Sequence, residues 1–492
     1  MSAAPHYKTA PEDRIKLTHK LAYGVGAFVN NLLGAASGGM MIVLNLGFGM
    51  NPVLVGLLGA LPRLTDAFTD PLMGYISDNS RTRWGRRRPF IFGGAIAAGI
   101  LFALLWQLPA GKSETFYFVY FLLGSIIFYA AYTVFATPWV ALGYELTPDY
   151  HERTRLMGTQ NFTGQLAFVV SPWFLWIMNS GQFFRDEFGE PDQVAGAAGL
   201  AIVIALVTIG LGTLPAIVLR ERMATVASAA ETARGFKANM AEFFRGFGVT
   251  LSNQPFLKLC LATFLVFNGF MLIASFQFYV IIYYVCGGDQ AVGAKYAGLA
   301  GTVGAVGSFA AVAFITWLST RIGKRHAFFF GIGVSMVGYA LKWVCYNPDL
   351  PYLVLIPAPL MAFGLGSLFT LVPSMIADVV DTDELKTGER REGMFGSVFW
   401  WMVKLGMSAA LAGSGYLLNA TGFDVALEGS QTSSAIFWLR VSDAGIPLLA
   451  SAIAIWAVYR FPITEEKARE VRDELERRRG KAGDGDVPVE AT

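Results

Sequence analysis

The sequence predicts an all-α membrane protein: twelve transmembrane helices in two pseudo-symmetric six-helix bundles. Three observations carry that reading. Apolar stretches of about 20 residues, each long enough to cross a hydrocarbon core, recur along the chain. Charged residues make up only 15% of the 492 residues against 54% hydrophobic ones, with mean hydropathy +0.48; a water-soluble domain carries roughly 25% charge. Basic residues cluster in alternate short loops.

The helices are read at 20–48, 53–78, 89–110, 115–142, 158–180 and 196–219, and again at 256–285, 292–319, 327–347, 351–377, 393–419 and 434–460. The domain organisation is then a first bundle over 1–219, a polar linker over 220–255, a second bundle over 256–462 and a charged tail over 463–492, expected to form a short exposed helix followed by disorder. The first 18 residues are polar, and no cleaved leader is expected. The abundant glycine, 54 residues, suits close helix–helix approach in a bilayer.

Orientation follows from the loops. Arg81, Arg83 and Arg86 to Arg88 follow the second helix and Arg153 and Arg155 the fourth. Arg321, Lys324 and Arg325 follow the eighth, and Lys386, Arg390 and Arg391 the tenth. The opposite loops hold only Lys112, Arg185 and Lys295. The expectation is an inner-membrane protein with both termini cytoplasmic. Gly85-Arg86-Arg87 recurs as Gly323-Lys324-Arg325, and Glu152-Arg153 as Glu389-Arg390, at nearly one offset, which points to two related halves.

The second helix carries the chemistry. In Pro62-Arg63-Leu64-Thr65-Asp66-Ala67-Phe68-Thr69-Asp70-Pro71, Asp66 falls mid-helix and Asp70 one turn on, sharing a face. A carboxylate at that depth costs roughly 2.5–3.5 kcal/mol on an insertion scale. Two on one face repel, so a cation must join them or one must hold a proton. The pair is therefore a candidate site for Na⁺, with Thr65 or Thr69 supplying hydroxyls, or for H⁺. The competing reading is structural pairing with Arg63 or a base on another helix. Lys404, mid-way along the eleventh helix and unable to snorkel, needs an anion and is the expected partner across the two halves. Lys342, near the end of the ninth helix, is expected to be an interfacial anchor.

Asn30, Asn31, Asn161, Gln165, Asn268, Gln277, Tyr279 and Trp400 are candidate substrate contacts, since amides bond hydroxyls and aromatic faces pack on the C–H side of a sugar ring. Interhelical hydrogen bonding explains such amides equally well. Asp78, Arg86, Arg87, Glu152, Arg153, Glu389 and Arg390 are read as gates, charge pairs holding the halves together at the basic side when the cavity faces outward; the alternative is topology signals and helix caps. Cys260, Cys286 and Cys345 lack metal-ligand spacing, no metal site is expected beyond Na⁺, and no cofactor is expected. With net charge +2 no nucleic-acid partner is implied, and the absence of a nucleophile–base pair or phosphate loop argues against an enzyme.

These segments resemble the glycoside–pentoside–hexuronide:cation symporters, the melibiose-carrier-like branch of the major facilitator superfamily. The likeness rests on Lys20-Leu21-Ala22-Tyr23-Gly24-Val25-Gly26, on Asp66 to Pro71 with Arg83-Trp84-Gly85, and on Ala377-Asp378-Val379-Val380-Asp381 through Lys386-Thr387-Gly388 to Gly393. It implies the major facilitator fold, symport of a glycoside or oligosaccharide with Na⁺ or H⁺, Asp66, Asp70 and Thr133 as cation-site positions, and Lys404 as the family's helix-eleven lysine. Melibiose-type carriers have aspartates where Asn31 and Ala136 align and an arginine where Asn161 aligns, so the ion site resembles the family's while the sugar site is rewritten without charge. Arg86 to Phe90 also resembles the sucrose–proton carriers, and animal lysolipid–sodium carriers share the scaffold, which leaves an amphiphile, or a non-transporting assembly or sensory protein, as alternatives.

Overall fold

A computed structural model describes residues 13–109, 111–147, 150–179, 184, 192–221, 250, 252–388, 392–427 and 429–478. The expected linker therefore lies mostly outside the described residues, as do Glu389 and Arg390 and the end of the tail.

Twelve helical runs cross the molecule in alternating directions. The first half holds α1 (Leu17–Gly39, extended by Ile42–Leu46), α2 (Pro52–Asn79), α3 (Arg88–Leu105), α4 (Glu114–Glu145), α5 (Tyr150–Val170, continued by Ser171–Trp173 and Phe174–Asn179) and α6 (Gln193–Gly212, continued by Leu214–Val218). The second holds α7 (Gln254–Ile273, continued by Phe276–Tyr279 and a π-helical Val280–Val285), α8 (Gln290–Ile322), α9 (Lys324–Cys345), α10 (Pro357–Thr387, preceded by Pro351–Leu355), α11 (Glu392–Ala420) and α12 (Ser433–Tyr459). A last helix, α13, spans Glu465–Arg478.

Among the described residues, nine of these runs are long and apolar enough to cross a membrane. The remaining three, α2, α5 and α11, are the ones that carry Asp66 and Asp70, Asn161 and Gln165, and Lys404. A helix facing a polar interior need not be apolar all round, so its hydropathy falls below that of a lipid-facing neighbour.

Local chemistry sets the ends. Asn51 caps α2, its side chain accepting from the Val53 N–H at 2.9 Å, with Pro52 at the first helical position where its missing N–H costs nothing. Asn253, Asp289 and Thr432 cap α7, α8 and α12 in the same way. Gly388, at φ +74, closes α10 in the left-handed conformation. Two helices outrun the sequence reading on the basic side: α5 starts at Tyr150 rather than 158, and α10 runs to Thr387 rather than 377. Hydropathy marks only the hydrocarbon crossing, and capped polar turns continue the helix beyond it.

The halves meet most closely where α2 lies against α11. A Cβ at Gly415 would stand 2.1 Å from the Pro52 carbonyl oxygen, and one at Gly56 2.7 Å from that of Leu411. Only glycine lets the two backbones approach so closely.

Two expectations are corrected here. The tail helix α13 is not simply exposed: Val471 and Leu475 are buried and Ala468 packs on the core of the second half, because its apolar residues recur at helical spacing. Lys342 is not an interfacial anchor. It is 2% exposed, and its Nζ bonds Asp443 Oδ1 on α12 at 2.8 Å, with Asp443 also 2% exposed. Its ammonium lies 5.5 Å from the Tyr346 ring centroid. Ending only three residues short of the helix terminus does not free a lysine to snorkel when its face points into the bundle. Removing one partner of such a pair leaves the other charge buried. Lys342→Met should therefore destabilise the protein by about 3–5 kcal/mol, and the double variant Lys342→Met/Asp443→Leu should recover most of that loss, read by thermal unfolding in detergent.

Candidate functional site

Halfway through the molecule, α2, α4 and α11 converge on a cluster of charge. Asp70 Oδ1 accepts from Thr133 Oγ1 on α4 at 3.0 Å. Asp70 Oδ2 takes a charge-assisted hydrogen bond from Lys404 Nζ on α11, so the ion pair joins the two halves. One turn earlier Asp66 is 4% exposed, and its Oδ1 has no hydrogen-bond partner among the described residues. Between them the Thr69 hydroxyl is also buried and without a partner. Arg63, one turn before Asp66, lies 4.8 Å from the Tyr129 ring centroid on α4 and completes the set of charges around Asp66: Arg63, Asp70 and Lys404.

The structure thus brings together Arg63, Asp66, Asp70, Thr133 and Lys404. Helical spacing does this for the α2 residues, and α4 contributes Thr133 next to Tyr129 and Tyr132 on its inward side. Two buried orphan oxygens beside a carboxylate are a donor set suited to a hard monovalent cation, which prefers oxygen ligands; a proton on Asp66 would satisfy the same atom. Among the described residues no group of three or more His, Cys, Asp or Glu side chains suits a transition metal.

The candidate substrate residues divide. Asn30 accepts from the Tyr132 hydroxyl at 2.8 Å, and Tyr132 is a charged-group neighbour of Arg63, Asp66 and Asp70. Asn31 donates to the Gly164 carbonyl at 3.0 Å and so ties α1 to α5. Asn161 is exposed and Gln165, one turn on, is half-buried on the same face of α5. Trp400 is one turn from Lys404 on α11, 52% exposed and stacked on Phe369 of α10 at 6.0 Å. Asn268 is buried against Gly406 of α11 with both amide atoms unpartnered. Gln277 is half-buried on the continuation of α7, far along that helix from Lys404's level.

Tyr279 is not brought to this site. It is buried between Tyr283 and Phe423, and its hydroxyl bonds Asn45 Oδ1 at the end of α1 at 2.8 Å. It belongs to the seal between halves on the face opposite the basic loops. Asn51 and Asn419 (3.0 Å) and Trp173 and Thr302 (2.8 Å) join the halves on that side too.

On the basic side the ion pairs seen among the described gate residues lie within one half. Arg86 and Arg87 both meet Glu145, the last residue of α4. Glu152 meets Lys20 at 2.7 Å and Arg155 at 3.1 Å, and Lys324 meets Asp378 at 2.7 Å. The gate reading of Arg86, Arg87 and Glu152 belongs to the outward-facing arrangement, whereas here the seal lies on the opposite face. The side chains of Asp78 and Arg153, with Glu389 and Arg390, lie outside the described residues. Glu145, Asp443, Tyr132 and Asn45 went unread as partners. For Glu145 a signal existed, an acid closing a helix next to a basic loop; the others carried none.

Burial alone would raise the Glu152 carboxyl, but Lys20, the Ile15 N–H and Arg155 outweigh it and hold its pKa below the ordinary value. Glu152 stands in the first turn of α5, outside the hydrocarbon crossing. A depressed carboxyl contributes stability that is present above its unfolded pKa and lost as pH falls through the folded one. Wild-type protein should accordingly lose more thermal stability than Glu152→Gln as pH drops below about 4.5, measured side by side in detergent; parallel curves would contradict the assignment.

Residues 22–465 match the family model described as MFS/sugar transport protein. Among relatives, the chain is 23% identical to the isoprimeverose transporter of Lactiplantibacillus pentosus over 94% of this chain and 92% of that one. It is 24% identical to the sodium-dependent lysophosphatidylcholine symporter 1 of Mus musculus over 96% and 90%. Among solved structures, it superposes on a bacterial homologue of the human lysosomal transporter Spinster with a TM-score of 0.64 at 16% identity, covering 90% of this chain and 96% of that one.

Proposed function

The chain belongs to the MFS/sugar transport protein family, and on that premise we propose that it is a secondary active symporter that carries a neutral glycoside or oligosaccharide together with Na⁺ or H⁺ by alternating access, and not an enzyme. The observation that carries this reading is the Lys404–Asp70 bond between halves, set beside a buried Asp66 oxygen that nothing satisfies.

Charge counting gives the mechanism. Arg63 and Lys404 balance Asp66 and Asp70, so the cluster is neutral with Lys404 seated on Asp70. A cation arriving at Asp66, Asp70, Thr69 and Thr133 adds a charge, and the ammonium is the group able to leave, since it is half-exposed on the far half while Arg63 is held against Tyr129. Ion and Lys404 therefore compete for Asp70. Ion binding loosens a bond that holds the halves in one arrangement, and this differential affinity is what lets a ligand shift the conformational equilibrium.

Substrate recognition falls to residues of both halves near this level. Asn30, Asn161 and Gln165 offer amides to hydroxyls, and Trp400 offers a flat face backed by Phe369. With the seal on the face opposite the basic loops and that basic face taken as cytoplasmic, the arrangement is inward-facing, both termini are cytoplasmic, and the membrane is the cell's inner membrane. The mouse relative and the apolar Phe369–Trp400 wall favour a second reading, an amphiphile with a sugar-sized polar head.

In proteoliposomes with an imposed Na⁺ or pH gradient, Asp66→Asn and Asp70→Asn should abolish concentrative uptake while leaving substrate exchange. Concentrative uptake by both variants would sink the ion-site assignment. Lys404→Ala should bind the ion more tightly but lose coupling; ion-driven uptake at the wild-type rate would show that the bridge has no part in it. Exchange of labelled glycosides against labelled lysolipids distinguishes the two substrate classes.

A further inference from the structure

At the rim opposite the basic loops, α12 presents a cation that the transport cycle does not use. Arg440 lies about two turns into the helix. Its guanidinium is held between two rings, 4.0 Å from the centroid of Tyr284 at the π-helical end of α7 and 4.5 Å from that of Trp343 near the end of α9. Nη2 donates to the Trp343 carbonyl at 2.7 Å, one of the last four carbonyls of α9 that have no partner within their own helix. Among the described residues that is the hydrogen bond Arg440 makes, and no carboxylate pairs with it. The one acid close by on its helix, Asp443, is committed to Lys342. None of the Arg440 nitrogens is among the buried unpartnered atoms, so its remaining N–H groups reach the surface.

The setting is specific. Exposed Trp343, Phe437 and Trp438 surround it, packed edge to face at 6.1 and 5.6 Å. Tryptophan and tyrosine gather at the headgroup level of a bilayer. A guanidinium held close to two rings loses freedom to reorient, and its N–H edge is the geometry that takes a phosphate through two parallel N–H bonds. A bare cap for α9 would need neither the second ring nor an accessible edge. On a face otherwise poor in basic residues, an arginine with no counter-ion among the described residues is placed to meet its anion in the lipid.

We infer that Arg440 and the aromatic rim of α9 and α12 form a binding site for the phosphodiester of a bilayer phospholipid, whose acyl chains lie along Phe437 and Trp438. Because the guanidinium touches α7, α9 and α12 together, an occupied site clamps the rim of the second half on its sealed side.

The test uses full-length protein in a neutral detergent, titrated with phosphatidylglycerol, with retained lipid counted by native mass spectrometry and thermal unfolding followed in parallel. Wild type should retain one lipid preferentially and gain stability from it, and Arg440→Gln should bind it about tenfold more weakly. Diacylglycerol, which lacks the phosphate, should neither be retained nor stabilise. Equal retention by wild type and Arg440→Gln, or equal stabilisation by diacylglycerol, overturns the site. Should Arg440→Gln fail to fold, Arg440→Lys decides: it keeps a charge between the rings but lacks the bidentate edge, so retention equal to wild type overturns the proposal and a clear loss supports it.

Discussion

A charge placed in hydrocarbon must find an opposite charge, and in this protein the ammonium of Lys404 finds its own on the other half of the molecule. Asp70 gives one oxygen to Lys404 and the other to Thr133, so a strong polar bond joining α2 to α11 at mid-depth is also one that fixes the state of the carboxylate. Everything else about the site follows from which cation holds Asp70. With Lys404 there, the four charges cancel and the halves are tied. In the proposed mechanism an external ion at Asp70 makes the tie surplus.

The same rule, applied where no external ion competes, gives a different object. Lys342 and Asp443 also neutralise each other in the bilayer, but both are fully buried inside one half with aromatic neighbours. Such a pair fixes α9 against α12 and has no reason to exchange partners. Depth alone does not distinguish a working charge from a structural one; access and the division between halves do. Arg440 is the third case, a cation at the rim whose own half offers two rings and a carbonyl but no acid.

The seal and the splay complete the picture. On one face the halves meet through glycines that let backbones touch and through neutral hydrogen bonds, Asn45 with Tyr279 and Asn51 with Asn419. On the basic face the ion pairs among the described residues include ones within each bundle, Arg86 and Arg87 with Glu145 and Lys324 with Asp378. Neutral contacts are cheap to break and re-form as two rigid halves rock, whereas an ion pair exchanged between bundles at each turn would add its desolvation to the barrier.

The sequence by itself determined where the helical crossings lie, because the hydrocarbon thickness acts on each segment separately. It also determined that Asp66 and Asp70 share a face, since that is helical arithmetic, and that Lys404 needs an acid. Only the tertiary structure decided which acid, because partner choice depends on where α2, α4 and α11 lie relative to one another. For the same reason the sequence presents Lys342 as an anchor when it is a buried partner of Asp443, and Tyr279 as a substrate contact when it closes the opposite face. A local pattern fixes what a residue needs; the packing of distant helices fixes who supplies it.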